Sequence, residues 1–433
     1  MSSLMIGWLG IFFLLLLICM RVPIGVAMIV SGVTGFMAIS GFEPGLALLG
    51  SVPYETFINT SYAVVALFVL MGNFAFKSGI SDDLFMAVRK WMGALKGGLA
   101  LATVAACGGF AAICGSSVAC AVTMGVVALP EMMKSRYANT LATGCIAAGG
   151  TLGILIPPST VMIIYGIITE QSIGKLFMAG ILPGILQMLL YMVVVRIWVR
   201  RFPEAGPAAG ACPMKEKIQS LSRVWSVILL MLLVVGGLYT GIFSPNEAGG
   251  VGAFGAFVIG LILCKKTSRR QFIKESLIDT VRTQGMCLTI MLGAMIFGYF
   301  LTVSRLPMTL SDSITSVVSS PMLILVFVLL IMTLLGCFMD SMAIVLLTVP
   351  IFYPLILSVG IDPIWFGILV VRVTEMGLIT PPVGLNLYVI QGVSNVPMGR
   401  IFSGVIPFIL CDVVHVVILL AFPMISLWLP GMM

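Results

Sequence analysis

Long apolar stretches recur along the whole chain and are separated by short polar segments. A stretch of about 17 to 25 apolar residues is long enough to cross ~30 Å of hydrocarbon as an α-helix. The pattern therefore predicts an all-α polytopic membrane protein. Full crossings are predicted near 4–20, 22–40, 62–77, 138–168, 177–199, 225–242, 246–264, 287–303, 364–391 and 402–428.

Two pairs of shorter apolar segments lie between the third and fourth crossing of each set of five. They cover about 97–114 with 116–132, and 322–338 with 341–357. The first pair meets at Ser116 and Ser117, and the second at Asp340 and Ser341. We interpret each pair as a re-entrant hairpin, which enters and leaves the membrane on the same side.

The second half of the chain repeats the first at an offset of 224 residues. Aligned pairs are Ser116 with Asp340, Ser117 with Ser341, Pro130 with Pro354, Pro157-Pro158 with Pro381-Pro382, Gly180 with Gly404, and Pro183 with Pro407. Because five crossings is an odd number, the second copy is predicted to be inserted upside down. Inverted repeats with interrupted helices are typical of secondary transporters. Channels and membrane enzymes with internal duplications remain rival interpretations.

Charge sets the predicted orientation. Hydrophobic residues make up 60% of the chain and charged residues 9%, which excludes an ordinary soluble domain. The net charge of +7 does not indicate nucleic-acid binding, because Lys and Arg occur in short clusters between apolar stretches. All of them except Lys175, Arg305 and Arg372 fall in segments predicted to lie inside, including Lys265 and Lys266. The N-terminus is therefore predicted to be periplasmic.

The segments that follow the third crossings support the inverted arrangement. Segment 80–97 is basic and is predicted to lie inside, whereas 306–320 has no Lys or Arg and is predicted to lie outside. Each is interpreted as an amphipathic helix along the membrane surface, bracing a hairpin.

Two crossings carry adjacent prolines at membrane depth. They read GGTLGILIPPSTVMIIYG (149–166) and GLITPPVGLNLYVI (377–390). Proline removes backbone donors and breaks a helix, and such irregular backbone is tolerated only in a protein interior or beside a wet cavity. The freed carbonyls suit a small cation, and the N-terminal end of the restarted helix suits an anion. A plain kink is the alternative interpretation.

The hairpin tips supply side-chain oxygens to match. A tip facing the Pro-Pro loop of its own repeat would enclose one cation site, giving two in all, with an anionic substrate between the tips. Serines at such turns can also merely cap helices, but an aspartate at membrane depth indicates function.

Four further charged or titratable residues lie deep in apolar stretches. Arg372 and Glu375 are three residues apart and either neutralise each other or leave Arg372 to bind an anionic head group. Asp412 and His415 are spaced in the same way and are interpreted as a structural pair rather than a proton relay.

Enzymatic chemistry finds little support in the sequence. There is one histidine, no nucleophile with a base, no metal-ligand cluster and no phosphate-binding glycine loop. The ten cysteines include no Cys-x-x-Cys pair and are interpreted as small buried residues. The chain is predicted not to be an enzyme and to need no cofactor beyond a coupling ion.

Five segments resemble one known family across essentially the full length. CGSSVACAVTMG, AAGGTLGILIPPS, FSPNEAGGVGA, MDSMAIVLLTVPI and TEMGLITPPVGLN are similar to the DctM-like large membrane subunit of tripartite ATP-independent periplasmic (TRAP) transporters. The resemblance implies an elevator-type fold in the bacterial inner membrane and sodium-coupled uptake of a small organic anion. It also implies two partners, a periplasmic binding protein and a small four-helix DctQ-like membrane subunit. Since no extra bundle precedes Leu4, that subunit is expected to be a separate chain. A stand-alone sodium–anion symporter of the same hairpin fold is the alternative.

The resemblance also assigns residues to sites. The first sodium site is expected at Ser116, Ser117, Gly150, Thr151, Gly153 and Pro157. The second is expected at Asp340, Ser341, Gly377, Thr380 and Pro382. Candidate substrate residues are Ser117, Ser159, Ser341, Arg372, Gly384 and Asn386. The pair Arg372-Val373 departs from many relatives, which carry an asparagine and no arginine here, so a carboxylate or a sulfonate substrate is expected rather than a generic dicarboxylate.

Four consecutive parts follow from this layout. Segments 1–96 and 187–320 are predicted to form the scaffold with the surface helices. Segments 97–186 and 321–433 are predicted to form the transport units, each with a hairpin and a broken helix.

Overall fold

The computed structural model describes residues 2–210, 212–264, 268–318 and 320–433, and these residues form helices and no strands. Lys265 and Lys266, which belong to the predicted inside set, lie outside the described residues. The helices are α1 Ser3–Cys19, α2 Ile24–Ser40, α3 Phe42–Ile58, α4 Ala63–Ser78, α5 Ile80–Met92, α6 Gly98–Cys114, α7 Ser117–Lys134, α8 Asn139–Leu155, α9 Thr160–Ile168, α10 Ile173–Arg201, α11 Met214–Leu221, α12 Trp225–Met231, α13 Gly237–Tyr239, α14 Pro245–Leu263, α15 Arg269–Ser304, α16 Leu306–Val317, α17 Pro321–Gly336, α18 Ser341–Ser358, α19 Pro363–Gly377, α20 Leu385–Ser394, α21 Met398–Ala421 and α22 Met424–Leu427.

Every predicted crossing coincides with a helix or with a broken helix. Within the described residues, eight helices are long and apolar enough to cross a membrane, and the bent pair α11 with α12–α13 would make a ninth. Two of the eight are α7 and α18, the second arms of the predicted hairpins. The all-α multi-pass fold class is confirmed.

One helix was not predicted. Helix α3 fills the stretch between the second and third crossings and contains Glu43, Glu55 and an internal proline, Pro53. These residues lower its hydrophobicity below that of its neighbours, so the apolar pattern gave no signal for it.

The repeat is visible in the helix boundaries. Helices α7 and α18 begin at Ser117 and Ser341 and end at Lys134 and Ser358, so both boundaries lie 224 residues apart. Helices α8 and α19 begin at Asn139 and Pro363 with the same offset. The two-repeat organisation is therefore confirmed down to single helix ends.

Two groups of helices make most of the packing contacts. Helices α2, α4, α14 and α15 pack on one another, and α8 packs against α6, α7, α10 and α21. The broken span Asn139–Ile168 is the most enclosed of the long spans, with 89% of its apolar window buried. Helix α10 runs without interruption through the predicted boundary at 186. The division into scaffold and transport units stays a prediction.

Candidate functional site

The two hairpin tips begin their second arms with a capped helix N-terminus. The Ser116 hydroxyl accepts a hydrogen bond from the Ala119 N–H at 3.4 Å, and the Asp340 carboxylate accepts one from the Met342 N–H at 3.1 Å. Each cap satisfies one of the N–H groups that a helix start leaves unpaired. The next residue of each arm, Ser117 or Ser341, is buried.

A single carboxylate joins the two tips. Glu375 lies near the end of α19 and is fully buried. Its Oε1 accepts a hydrogen bond from the Ser341 hydroxyl at 2.8 Å, and its Oε2 accepts one from the Ser117 hydroxyl. The tips of both hairpins therefore meet beside the break of the second broken helix.

Each tip also contacts the loop of the broken helix in its own repeat. The Thr160 N–H and hydroxyl donate to the Gly115 carbonyl at 3.5 and 3.0 Å. The Gly384 N–H donates to the Cys337 carbonyl at 3.1 Å. Thr160 and Gly384 are equivalent positions of the two repeats. The expected pairing of tip with loop is thus present in both halves.

The residues predicted for the first sodium site are only partly together. A Cβ atom on Gly153 would lie 2.7 Å from the Ser116 carbonyl oxygen, so this glycine lets α8 approach the tip of the first hairpin. Gly150 lies close to Ser117 and Ala121 in the same way. Pro157 is buried in the loop between α8 and α9.

Thr151 points elsewhere. Its hydroxyl donates to the Ala148 carbonyl at 2.7 Å and lies 3.1 Å from the Tyr191 hydroxyl of α10. Ser159, a predicted substrate residue, caps α9 by accepting the Met162 N–H at 3.3 Å and is buried.

The residues predicted for the second sodium site follow the loop between α19 and α20. Gly377 packs on Gly336 of the second hairpin, and a Cβ atom on Gly377 would lie 2.5 Å from the Gly336 Cα. The Thr380 hydroxyl donates to the Met376 carbonyl at 2.6 Å, and Pro382 is exposed. Just after this loop, the Asn386 side chain is fully buried and both polar atoms of its amide lack a hydrogen-bond partner.

Arg372 belongs to a separate buried cluster. Its guanidinium lies 2.5 Å from Asp412 Oδ1, and its Nε donates to His415 Nδ1 at 2.9 Å. The Gln187 amide donates to the same Asp412 oxygen at 2.7 Å. Because His415 Nδ1 accepts, the imidazole carries its proton on Nε2.

This cluster corrects two expectations. Neutralisation between Arg372 and Glu375 is wrong, because α21 supplies the partner of Arg372 and the hairpins supply those of Glu375. Asp412 and His415 do not form an isolated pair, because both bind the guanidinium.

A cavity of about 360 Å³ opens beside the tips. Ser116 lines it from the first hairpin and Asp340 from the second, while Asn73 of α4 and Thr283 of α15 line the opposite wall. Asp340 is the only charged residue among the described residues that line it, and Arg372 lies elsewhere. The cavity therefore separates the hairpin tips from the crossed helices α4 and α15.

Two residues of this region escaped the sequence interpretation. Glu375 was assigned only to a pair with Arg372, although the repeat offset aligns it with Thr151, a residue of the predicted first site. Asn73 is the one amide in α4, and its Nδ2 donates to the Thr280 hydroxyl of α15 at 2.9 Å. An amide within an apolar helix was the signal that could have indicated it.

Known proteins resemble this chain throughout its length. Residues 10–425 match the family model described as the tripartite ATP-independent periplasmic transporter, DctM component. The chain is 36% identical to the C4-dicarboxylate TRAP transporter large permease protein DctM of Pseudomonas aeruginosa, over 92% of this chain and 93% of the relative. It is 29% identical to the sialic acid TRAP transporter large permease protein SiaM of Vibrio cholerae, over 98% and 97%.

Two further comparisons add a fusion and a fold. The isethionate TRAP transporter permease protein DctMQ of Oleidesulfovibrio alaskensis is 31% identical over 86% of this chain, which spans 58% of that longer relative. The crystal structure of the Alcanivorax borkumensis YdaH transporter superposes with a TM-score of 0.67 over 98% of both chains. At 16% identity this likeness shows the fold alone. The permease names of the relatives agree with a transport protein rather than an enzyme, and the chain belongs to the DctM family of TRAP transporter large permeases.

Proposed function

We propose that this permease carries out sodium-coupled secondary uptake of a small organic anion, a carboxylate or a sulfonate. The names of its relatives specify C4-dicarboxylates, isethionate and sialic acid, which are all organic acids. The proposal includes location in the bacterial inner membrane with the N-terminus in the periplasm, as the distribution of Lys and Arg predicts.

One observation carries the requirement for a cation. The cavity between the hairpin tips and α4 with α15 is lined by the Asp340 carboxylate and by no described Lys, Arg or His. Two like charges about 4 Å apart repel by about 4 kcal/mol at the effective dielectric constant near a protein surface. An organic anion beside Asp340 therefore needs a cation to offset that repulsion. A cation bound at the tip makes anion binding depend on it.

The available ligands favour a small, hard cation. Ser116, Asp340 and the carbonyls freed at the two helix breaks offer only oxygen atoms, which suit Na⁺ better than a soft metal. The uncharged Asn386 amide, buried without partners, is a further oxygen donor beside the second break. We assign one cation to each tip with its loop.

We further propose that the hairpins and broken helices move as one body against α4 and α15, in an elevator mechanism. Tip-to-loop hydrogen bonds at Gly115 and Cys337, together with Glu375, support a single body, because they connect all four elements. Delivery by a periplasmic binding protein and packing beside a DctQ-like small subunit belong to the same proposal.

Reconstituted uptake tests the proposal. The purified large subunit, its small subunit and a binding protein are placed in proteoliposomes with an imposed Na⁺ gradient, and a panel of labelled C4-dicarboxylates, sulfonates and sialic acid is offered. We expect saturable uptake that concentrates one anion against its gradient only with Na⁺ outside. Uptake that ignores the Na⁺ gradient contradicts the proposal. Uptake without the binding protein and small subunit supports a stand-alone symporter, and flux that never accumulates substrate indicates a channel.

A further inference from the structure

We infer that Glu375 is a positioning residue that couples the two hairpin tips, so that cation binding at one tip raises the affinity at the other. This inference rests on the proposed sodium coupling and adds a residue that connects the two sites.

The contacts of Glu375 are symmetric although the residue itself is not duplicated. Ser117 and Ser341 occupy the same position in the two repeats, and each donates its hydroxyl to one oxygen of the same carboxylate. The first-repeat equivalent of Glu375 is Thr151, whose hydroxyl turns to Tyr191 instead. The molecule therefore contains one connection between the tips, provided by the second repeat.

The carboxylate is committed to these serines. Its neighbour on the same helix face, Arg372, is held by Asp412 and His415. A buried carboxylate without hydrogen-bond donors is strongly destabilising, so both serine hydroxyls are required where they are. Burial keeps water from replacing either serine.

The hydrogen-bond direction connects the carboxylate to the cation sites. An ionised carboxylate only accepts, so both hydroxyls must donate, and the lone pairs of both serine oxygens remain free. Donation to a charged acceptor also polarises the hydroxyl, which strengthens its oxygen as a ligand. Glu375 thus prepares one oxygen of each tip to face a cation.

Sharing one group makes the sites dependent on each other. A cation held by Ser117 fixes that hydroxyl, and through it Glu375 and Ser341. The second cation then binds to a tip that is already ordered and loses less conformational entropy. Coupling of this kind is reciprocal, so either cation favours the other.

The isosteric variant Glu375→Gln tests this directly. The glutamine amide has one accepting and one donating end, so one serine must reverse and use a lone pair to accept. We expect Na⁺-dependent uptake to lose cooperativity, with the Hill coefficient falling to about 1, and half-saturating Na⁺ to rise by about 5-fold or more. Titrating Na⁺ against the melting temperature of the purified complex gives a second reading that needs no transport.

A matched control separates coupling from lost packing. Ser341→Ala and Thr348→Val each remove a buried hydroxyl from α18, but the Thr348 hydroxyl bonds only within its own helix, to the Ile344 carbonyl at 2.7 Å. We expect Ser341→Ala to lower the Hill coefficient and Thr348→Val to leave it unchanged. Adding Ser117→Ala to Glu375→Gln should lower the coefficient no further.

The outcomes are distinguishable. Uptake by the unmodified protein that ignores Na⁺ overturns the proposed function itself. Cooperative Na⁺ dependence that persists unchanged in Glu375→Gln overturns only the coupling. If Glu375→Gln does not assemble, Ser117→Ala and Ser341→Ala decide, and cooperativity retained in both of them overturns the coupling.

Discussion

The two repeats share a backbone plan but differ in the chemistry at its centre. The first tip presents the neutral Ser116 beside a four-residue loop, 156–159, which is fully buried. The second tip presents Asp340 beside a seven-residue loop, 378–384, whose two prolines are exposed. Matching helices with unmatched tips indicate that duplication supplied two cation sites, and that later substitution made them unequal in charge and in access.

The stationary side of the molecule shows a similar contrast. In the first repeat α3 and α4 are separated by a short turn at 59–62, whereas α15 runs unbroken through the corresponding positions. Helix α5 carries Arg89 and Lys90, but α16 carries no Lys or Arg. The difference in charge between α5 and α16 is what an inverted second copy requires, since only one of them would face the inside.

The largest effect is expected where the second repeat has a charge and the first has none. The position equivalent to Arg372 is Ala148, so Arg372→Ala makes the repeats alike. It leaves Asp412 buried without its cation, which should lower the free energy of unfolding by about 3–5 kcal/mol. Thermal melting of the purified complex in detergent measures the loss.

A second substitution checks the cause of that loss. Adding Asp412→Asn removes the stranded charge and should restore much of the stability, whereas adding Glu375→Gln should not. Rescue by Glu375→Gln instead would mean that Arg372 pairs with Glu375, against the geometry of the cluster. Unaltered substrate affinity in the rescued protein would exclude Arg372 from the substrate site.

The next effect compares the two tips. Asparagine caps a helix as well as aspartate does, so Asp340→Asn removes the charge and keeps the start of α18. We expect half-saturating Na⁺ to rise by about tenfold or more, which corresponds to about 1.4 kcal/mol. Uptake measured over a range of Na⁺ concentrations gives this value.

Ser116→Ala is the matched change at the first tip. It removes a neutral hydroxyl, whose hydrogen bonds contribute about 0.5–1.5 kcal/mol, so its effect on half-saturating Na⁺ should be smaller. Equal shifts at the two tips would show that the charge of Asp340 does not distinguish the sites.

The sequence predicted the helices and the repeat well because both depend on local pattern. Span length follows from hydrophobicity, and the offset of 224 residues aligns Ser117 with Ser341 without any knowledge of packing. Partner choice is different, because residues on one helix face meet whatever approaches that face. Arg372 and Glu375 share a face of α19, yet α21 reaches one and the hairpins reach the other. Spacing along α19 does not contain that information, and neither does it reveal that Thr151 turns toward Tyr191.

The smallest expected effect concerns an ion pair that only the first repeat has. Arg89 of α5 lies 2.6 Å from Glu131 of α7, with side chains 29% and 26% exposed, and ties the surface helix to the first hairpin. The equivalent positions in the second repeat are Thr315 and Leu355, which cannot form an ion pair. A double-mutant cycle with Arg89→Gln and Glu131→Gln should give a coupling of about 0.2–1 kcal/mol, falling as salt is added. The cycle is needed because Glu131 also pairs with Lys134 at 3.2 Å, and that second contact cancels between the arms of the cycle only if Lys134 stays in place. A coupling well above this range, insensitive to salt, would mean that the pair is shielded from solvent, and that the first hairpin is held to its surface helix in a way the second is not.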